Sequence, residues 1–177
     1  MANTMTTYVK VGSLNEETHK KFVEIFETSS DEVKHFNTLY GTDFKDLGDI
    51  DREWMTENVG AKWILIECDD LEYSDTMELV LETAWSVPTE YLQKIVEYIG
   101  GDVVVYGTYE DESYDPIGAF VYAVDYDDIE DYEEVEHDRI FEDDDYLEEM
   151  YDGLYELRDS LYEGYREVMD ERSIEEN

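Results

Sequence analysis

Apolar residues recur along this chain with two different periods, and the alternation between them sets out most of its elements. Thr7-Tyr8-Val9-Lys10-Val11 alternates and predicts a short strand. Asn15 is placed to cap a helix reaching about Thr28, with Phe22, Val23, Ile25 and Phe26 as its apolar stripe. Ser30 or Asp31 opens a second helical segment carrying Val33, Phe36, Leu39 and Tyr40, and Gly41 stops it. Residues 42–60 are irregular and Asp-rich, with one helical stretch around Ile50 to Glu57. Two strands follow, Ala61 to Glu67 and Thr76 to Trp85; the second alternates Met77, Leu79, Leu81, Thr83 and Trp85 against the acids Glu78 and Glu82. Pro88 suits the first turn of a helix ending at Ile99 before Gly100-Gly101. Asp102 to Glu110 and Ile117 to Val124 read as an antiparallel hairpin.

That order is βαββαβ with one strand added, the split-βαβ arrangement of a ferredoxin-like α+β fold: an antiparallel sheet with helices gathered on one face. The last third has another character. Asp125 to Glu136 interleaves acids with Tyr126, Ile129, Tyr132 and Val135 at helical spacing, and from Asp143 onward Leu147, Met150, Leu154, Leu157, Leu161 and Val168 follow a heptad. Tyr151, Tyr155, Tyr162 and Tyr165 widen that stripe. The expectation is a ferredoxin-like domain over residues 1–124 and a long acidic, Tyr-rich helical extension over 125–177.

Two segments carry a resemblance. Asn58-Val59-Gly60-Ala61-Lys62-Trp63, followed by Thr83-Ala84-Trp85-Ser86-Val87-Pro88, is similar to the NWGTKW and TAWSPP signatures of YubB-like ferredoxin-like proteins, with Val59 and Val87 where the family has Trp and Pro. The similar region spans roughly residues 40 to 124. It implies the fold and a plasmid or phage origin, and it carries over no catalytic residue.

Charge changes the picture most. The chain has 50 acids against 12 Lys and Arg, a formal net charge of −38 over 177 residues. From Asp125 to the end there are 24 acids and four basic residues. Duplex DNA carries one charge per ~1.7 Å, so this total equals that of ~65 Å of duplex. A globule of this length is only ~40 Å across, from a radius of gyration near ~16 Å. High charge with low hydrophobicity reads as disorder, but 16 Tyr, 6 Phe and 3 Trp with only two Pro argue for an ordered chain.

Such a surface repels nucleic acid and anionic membranes, so the expected partners are basic proteins, cations or a second copy. A single cysteine, Cys68, points to a reducing cytosol, and neither a signal peptide nor a membrane span is expected. No metal or cofactor is expected: no D-x-[DN]-x-[DN]-G-x₅-E loop occurs, His19, His35 and His137 are isolated, and no Gly-rich phosphate loop is present. With so many acids, carboxylate pairs carry no catalytic information, and the chain is read as a non-enzyme.

Side chains three or four apart on a helix lie ~5–6 Å from one another, and alternate residues on a strand face lie ~6.6 Å apart. Both spacings approximate that of successive phosphates. The expected function is therefore mimicry of DNA by a phage- or plasmid-type protein that occupies the basic DNA site of a restriction, CRISPR, nuclease or similar host protein. The contact residues expected first are Asp143, Asp144, Asp145, Glu148, Glu149, Asp152 and Glu156, with Asp127, Asp128, Glu130, Asp131, Glu133 and Glu134 behind them. A homodimer through the last helix would lengthen the anionic surface. Three other readings stand beside this: a solvated acidic face, a salt-adapted origin, opposed by the Tyr content, and an interaction module that engages a host factor such as a polymerase through apolar surface.

Overall fold

The computed structural model describes residues 3–177. Strand β1 (Thr4–Gly12) is followed by α1 (Glu16–Phe26), α2 (Glu32–Tyr40), a 3₁₀ turn (Leu47–Asp49) and α3 (Arg52–Asn58). Next come β2 (Ile64–Glu67), β3 (Met77–Ala84), α4 (Thr89–Ile99), β4 (Val104–Asp111) and β5 (Ile117–Ala123). The chain ends with β6 (Tyr126–Asp131), a short α5 (His137–Ile140) and the 32-residue α6 (Asp144–Glu175). The sheet order is β2-β3-β1-β4-β5-β6, antiparallel at every pairing. The first four strands in that order form the ferredoxin-like α+β core, which β5 and β6 extend at one edge.

Local chemistry explains the helix ends. Asn15 Oδ1 accepts from the Thr18 backbone at 2.9 Å while Thr18 Oγ1 accepts from the Asn15 backbone at 2.9 Å, a reciprocal cap for α1. Asp31 caps α2, which Gly41 ends with φ 66°. Helices α1, α2, α3 and α4 lay Phe22, Phe26, Phe36, Met55, Leu92 and Ile95 on the sheet face formed by Met5, Val9, Leu79, Leu81, Val105 and Tyr109. Within this core, His35 is fully buried between Ile25 O and Tyr91 Oη, at 3.0 and 2.8 Å. Burial pushes its pKa down to about 4, so the ring stays neutral.

The helix expected over Asp125 to Glu136 is not formed. Tyr126–Asp131 instead pairs antiparallel with β5, from Ala123↔Tyr126 to Gly118↔Asp131, across a two-residue turn in which Asp125 takes the left-handed conformation at φ 57°. The outer edge of β5 offers a full ladder of backbone partners, and the acids on β6 protect the new edge against further pairing.

Helix α6 lies on the second sheet face. Leu161 and Tyr165 pack on Val104, Ala119 and Val121, while Tyr146, Met150 and Leu154 pack with Ile117 and Ile140. The residues from 125 onward thus share the sheet and its packing with those before. Helix α6 covers β5, part of β4 and part of β6, leaving this face of β1, β3 and β2 bare.

Candidate acidic interaction surface

The heptad stripe of α6 faces the sheet, so its acids are left on the opposite side. Asp145, Glu148, Glu149, Asp152, Glu156, Asp159, Glu163, Glu167 and Asp170 are all exposed. At a rise of ~1.5 Å per residue the row from Asp145 to Asp170 is ~38 Å long, one carboxylate per ~5 Å of axis. One DNA strand carries a phosphate every ~3.4 Å. Arg166 is the only cation within this row; Arg158 lies partly buried at its flank. Rigidity comes from below: Met150, Leu154 and Leu161 are at most 6% exposed and hold the helix on the sheet.

The expected contact residues divide among different places. Asp145, Glu148, Glu149, Asp152 and Glu156 are in the row, and Asp144 stands beside it in the first turn. Asp143 caps the helix, accepting from the Tyr146 backbone at 3.1 Å and from Arg139 Nη2 at 2.8 Å. The Arg139 guanidinium, then the Tyr146 N–H, lowers its pKa below the ordinary carboxylate value. On β6 the side chains alternate. Asp128 and Glu130 pair with Val121 and Ala119 on the α6 side, so Asp127 and Asp131 point to the α4 side. Asp131 accepts a short hydrogen bond from Tyr109 Oη, which makes it an anchor of the edge strand. Tyr109 is raised far above its usual value by burial and then by that carboxylate. Glu133 and Glu134 are exposed in the loop before α5. The structure therefore presents one continuous anionic row on α6, with the β6 acids split between two faces.

Other candidates have structural partners. His19 Nε2 lies 3.0 Å from Leu71 O, and burial with Asp69 nearby pushes the Cys68 thiol up to about 11, away from the reactive thiolate. Among the described residues no three His, Cys, Asp or Glu side chains are grouped to hold a metal ion. No helix among them is long and apolar enough to cross a membrane.

The two signature segments meet in space at the start of α4. Ser86 Oγ donates to Gly60 O at 2.6 Å, Thr83 Oγ1 donates to Ser86 O at 2.6 Å, and Lys62 Nζ sits 3.8 Å from the centre of the Trp85 ring. These contacts hold residues 60–63 beside α4, so β2 begins only at Ile64. Sequence reasoning missed a second surface, the apolar side chains on the bare half-sheet: Tyr8 and Leu65 are 45% and 58% exposed. Its signal is Tyr8, Leu65 and Val80 standing at the outward positions of otherwise alternating strands.

Comparison with known proteins finds no family model, no curated protein and no solved structure that matches this chain.

Proposed function

We propose that this protein is a nucleic-acid mimic that occupies the basic DNA-binding site of a host DNA-binding or defence protein. The observation that carries the reading is the carboxylate row on α6, spaced near the phosphate repeat of a DNA strand and fixed by the packing of the helix underneath. An acidic disordered tail would present the same charge without the spacing. A rigid row loses little conformational entropy on binding and steers toward a basic groove. The mimic acts without catalysis or cofactor, in the host cytosol, and its YubB-like resemblance fits a phage or plasmid origin. The apolar stripe of α6 is engaged by its own sheet, so a homodimer through that stripe would require its release.

A second reading is an acidic interaction module that binds a host factor mainly through apolar surface; the exposed Tyr8, Leu65 and Trp85 favour it. Salt separates the two. Affinity through the α6 row collapses as ionic strength rises, whereas an apolar interface responds little. The test is to capture host proteins on the immobilised chain and elute with duplex DNA, then with salt. Release of a DNA-binding protein by DNA supports mimicry; recovery of none opposes it.

A further inference from the structure

The bare half of the second sheet face forms a groove whose wall is α6. Its floor is the outward side of β1 and its neighbours, where Tyr8 lies between Val80 of β3 and Thr108 of β4. Tyr151, Tyr155 and Arg158 of α6 form the wall, and the groove encloses 390 Å³. Leu65 of β2 continues the apolar floor outward, 58% exposed. Three antiparallel strands at ~4.8 Å spacing give a strip ~14 Å wide. A helix with its side chains is ~10–12 Å across, and packed helices sit ~8–10 Å apart. The space beside α6 is therefore one helix wide, with the second axis falling over β1.

The polar groups define the charge of the occupant. Glu82 lies opposite both Leu65 and Thr6, Glu67 opposite Val80, and Glu110 opposite Thr6. Of the cations here, Lys10 is paired with Glu78 at 2.8 Å, and Arg158 Nε donates to Asp159 at 3.0 Å. Among the described residues no cation pairs with Glu67, Glu82 or Glu110. Glu110 instead accepts from Tyr151 Oη at 2.8 Å and from Tyr8 Oη at 3.3 Å, which holds its carboxylate at the groove. A second copy of this chain would bring its own acids against these.

We propose that this groove docks a basic amphipathic helix of a partner protein, laid alongside α6 over β1. Its apolar residues at i, i+3, i+4 and i+7 cover Tyr8, Val80 and Leu65, and its Lys or Arg side chains reach Glu67, Glu82 and Glu110. Here the sheet supplies apolar contact and the acids supply orientation. The inference is independent of the reading of the outer α6 row, which lies on a different side of that helix.

The test uses the full chain and a labelled Leu/Lys peptide patterned as an amphipathic helix, with a scrambled peptide of identical composition as control. Anisotropy gives affinity at low and high salt, and backbone NMR locates the contact. The expected result is at least tenfold tighter binding of the patterned peptide, a preference kept at high salt, with shifts at Tyr8, Leu65 and Val80. The double variant Y8S/L65S, at two exposed positions, removes that preference, and E82Q/E110Q weakens it severalfold. Reversing charge on the outer row with D152K/E156K weakens both peptides alike. Equal binding of the two peptides, shifts confined to the outer face of α6, or sedimentation showing self-association through this face would each overturn the proposal.

Discussion

Replacing either glycine of α6 by alanine is the same change chemically, yet only one of the two should gain stability. A glycine inside a helix costs ~1 kcal/mol relative to alanine. At Gly164 an added Cβ meets only Tyr126 Oη, at 3.8 Å, so G164A keeps the whole gain. In a domain of this size that gain raises the melting temperature by ~2–4 °C. At Gly153 the Cβ collides with Tyr132 Oη and comes within 2.9 Å of its Cζ. The phenol, half-buried beside Tyr146 and Met150, must then swing away. Overpacking of this kind costs ~1–3 kcal/mol, which cancels or exceeds the helical gain. The two variants should therefore melt several degrees apart, with G153A the lower, and part of its deficit should be recovered in a Y132F background. Circular dichroism melts at fixed salt make the comparison. Equal upward shifts in both variants would mean that α6 does not rest on Tyr132 through Gly153, and the fixed spacing of the acidic row would lose its foundation.

Other outcomes follow from the same packing. L154A removes a side chain only 1% exposed between α6 and the sheet and should cost ~2–5 kcal/mol in denaturant unfolding. D131N replaces the carboxylate that accepts from Tyr109 and should cost ~1–2 kcal/mol, whereas D152N on the open row should leave stability within ~0.5 kcal/mol. His35, held neutral when folded with a pKa of about 4 against 6.5 unfolded, contributes no pH dependence above pH 6.5. Below that the unfolded state takes up the proton first, so stability is lost as pH falls toward 4, by up to ~3 kcal/mol relative to H35F. Since a net charge of −38 repels itself, the melting temperature should also rise between 10 and 300 mM salt, read by calorimetry at neutral pH.

The ferredoxin-like half was legible because each of its elements carries a period and a stop, such as Asn15 and Gly41 at helix ends or the alternation of Met77 to Thr83. Strand β6 was not legible, for two physical reasons. Val124-Asp125 lacks the Asn-Gly type of hairpin signal, with only Asp125 in the left-handed region. An edge strand loaded with acids also shows no apolar alternation, so Tyr126, Ile129, Tyr132 and Val135 mimic a helical stripe. The docking of α6 had a readable signature in β5, where Ile117 to Tyr122 are buried on both faces, while β1 and β3 alternate. That contrast marks which half of the second face is covered and which is bare. The acidic row itself was legible from the heptad, because fixing the apolar stripe fixes where the acids point. What each β6 acid touches depends on pairing across the sheet, which local pattern does not contain.

Competition at the captured partner decides whether the acidic row acts as a DNA mimic. The immobilised chain is loaded with a host protein from lysate, and duplex DNA is titrated against it, in parallel with D145K/E149K/D152K/E156K. Four reversals raise the net charge by eight, leaving −30, still strongly acidic. Each reversed pair at ~5 Å in water shifts binding by ~1.6 kcal/mol before screening, and screening at physiological salt roughly halves it. The sum over four sites predicts a loss of affinity of at least a hundredfold. DNA should displace the partner stoichiometrically, and the reversed variant, with an unchanged melting curve, should capture none. A partner that DNA does not displace, or one held equally well by the folded reversed variant, would contradict mimicry.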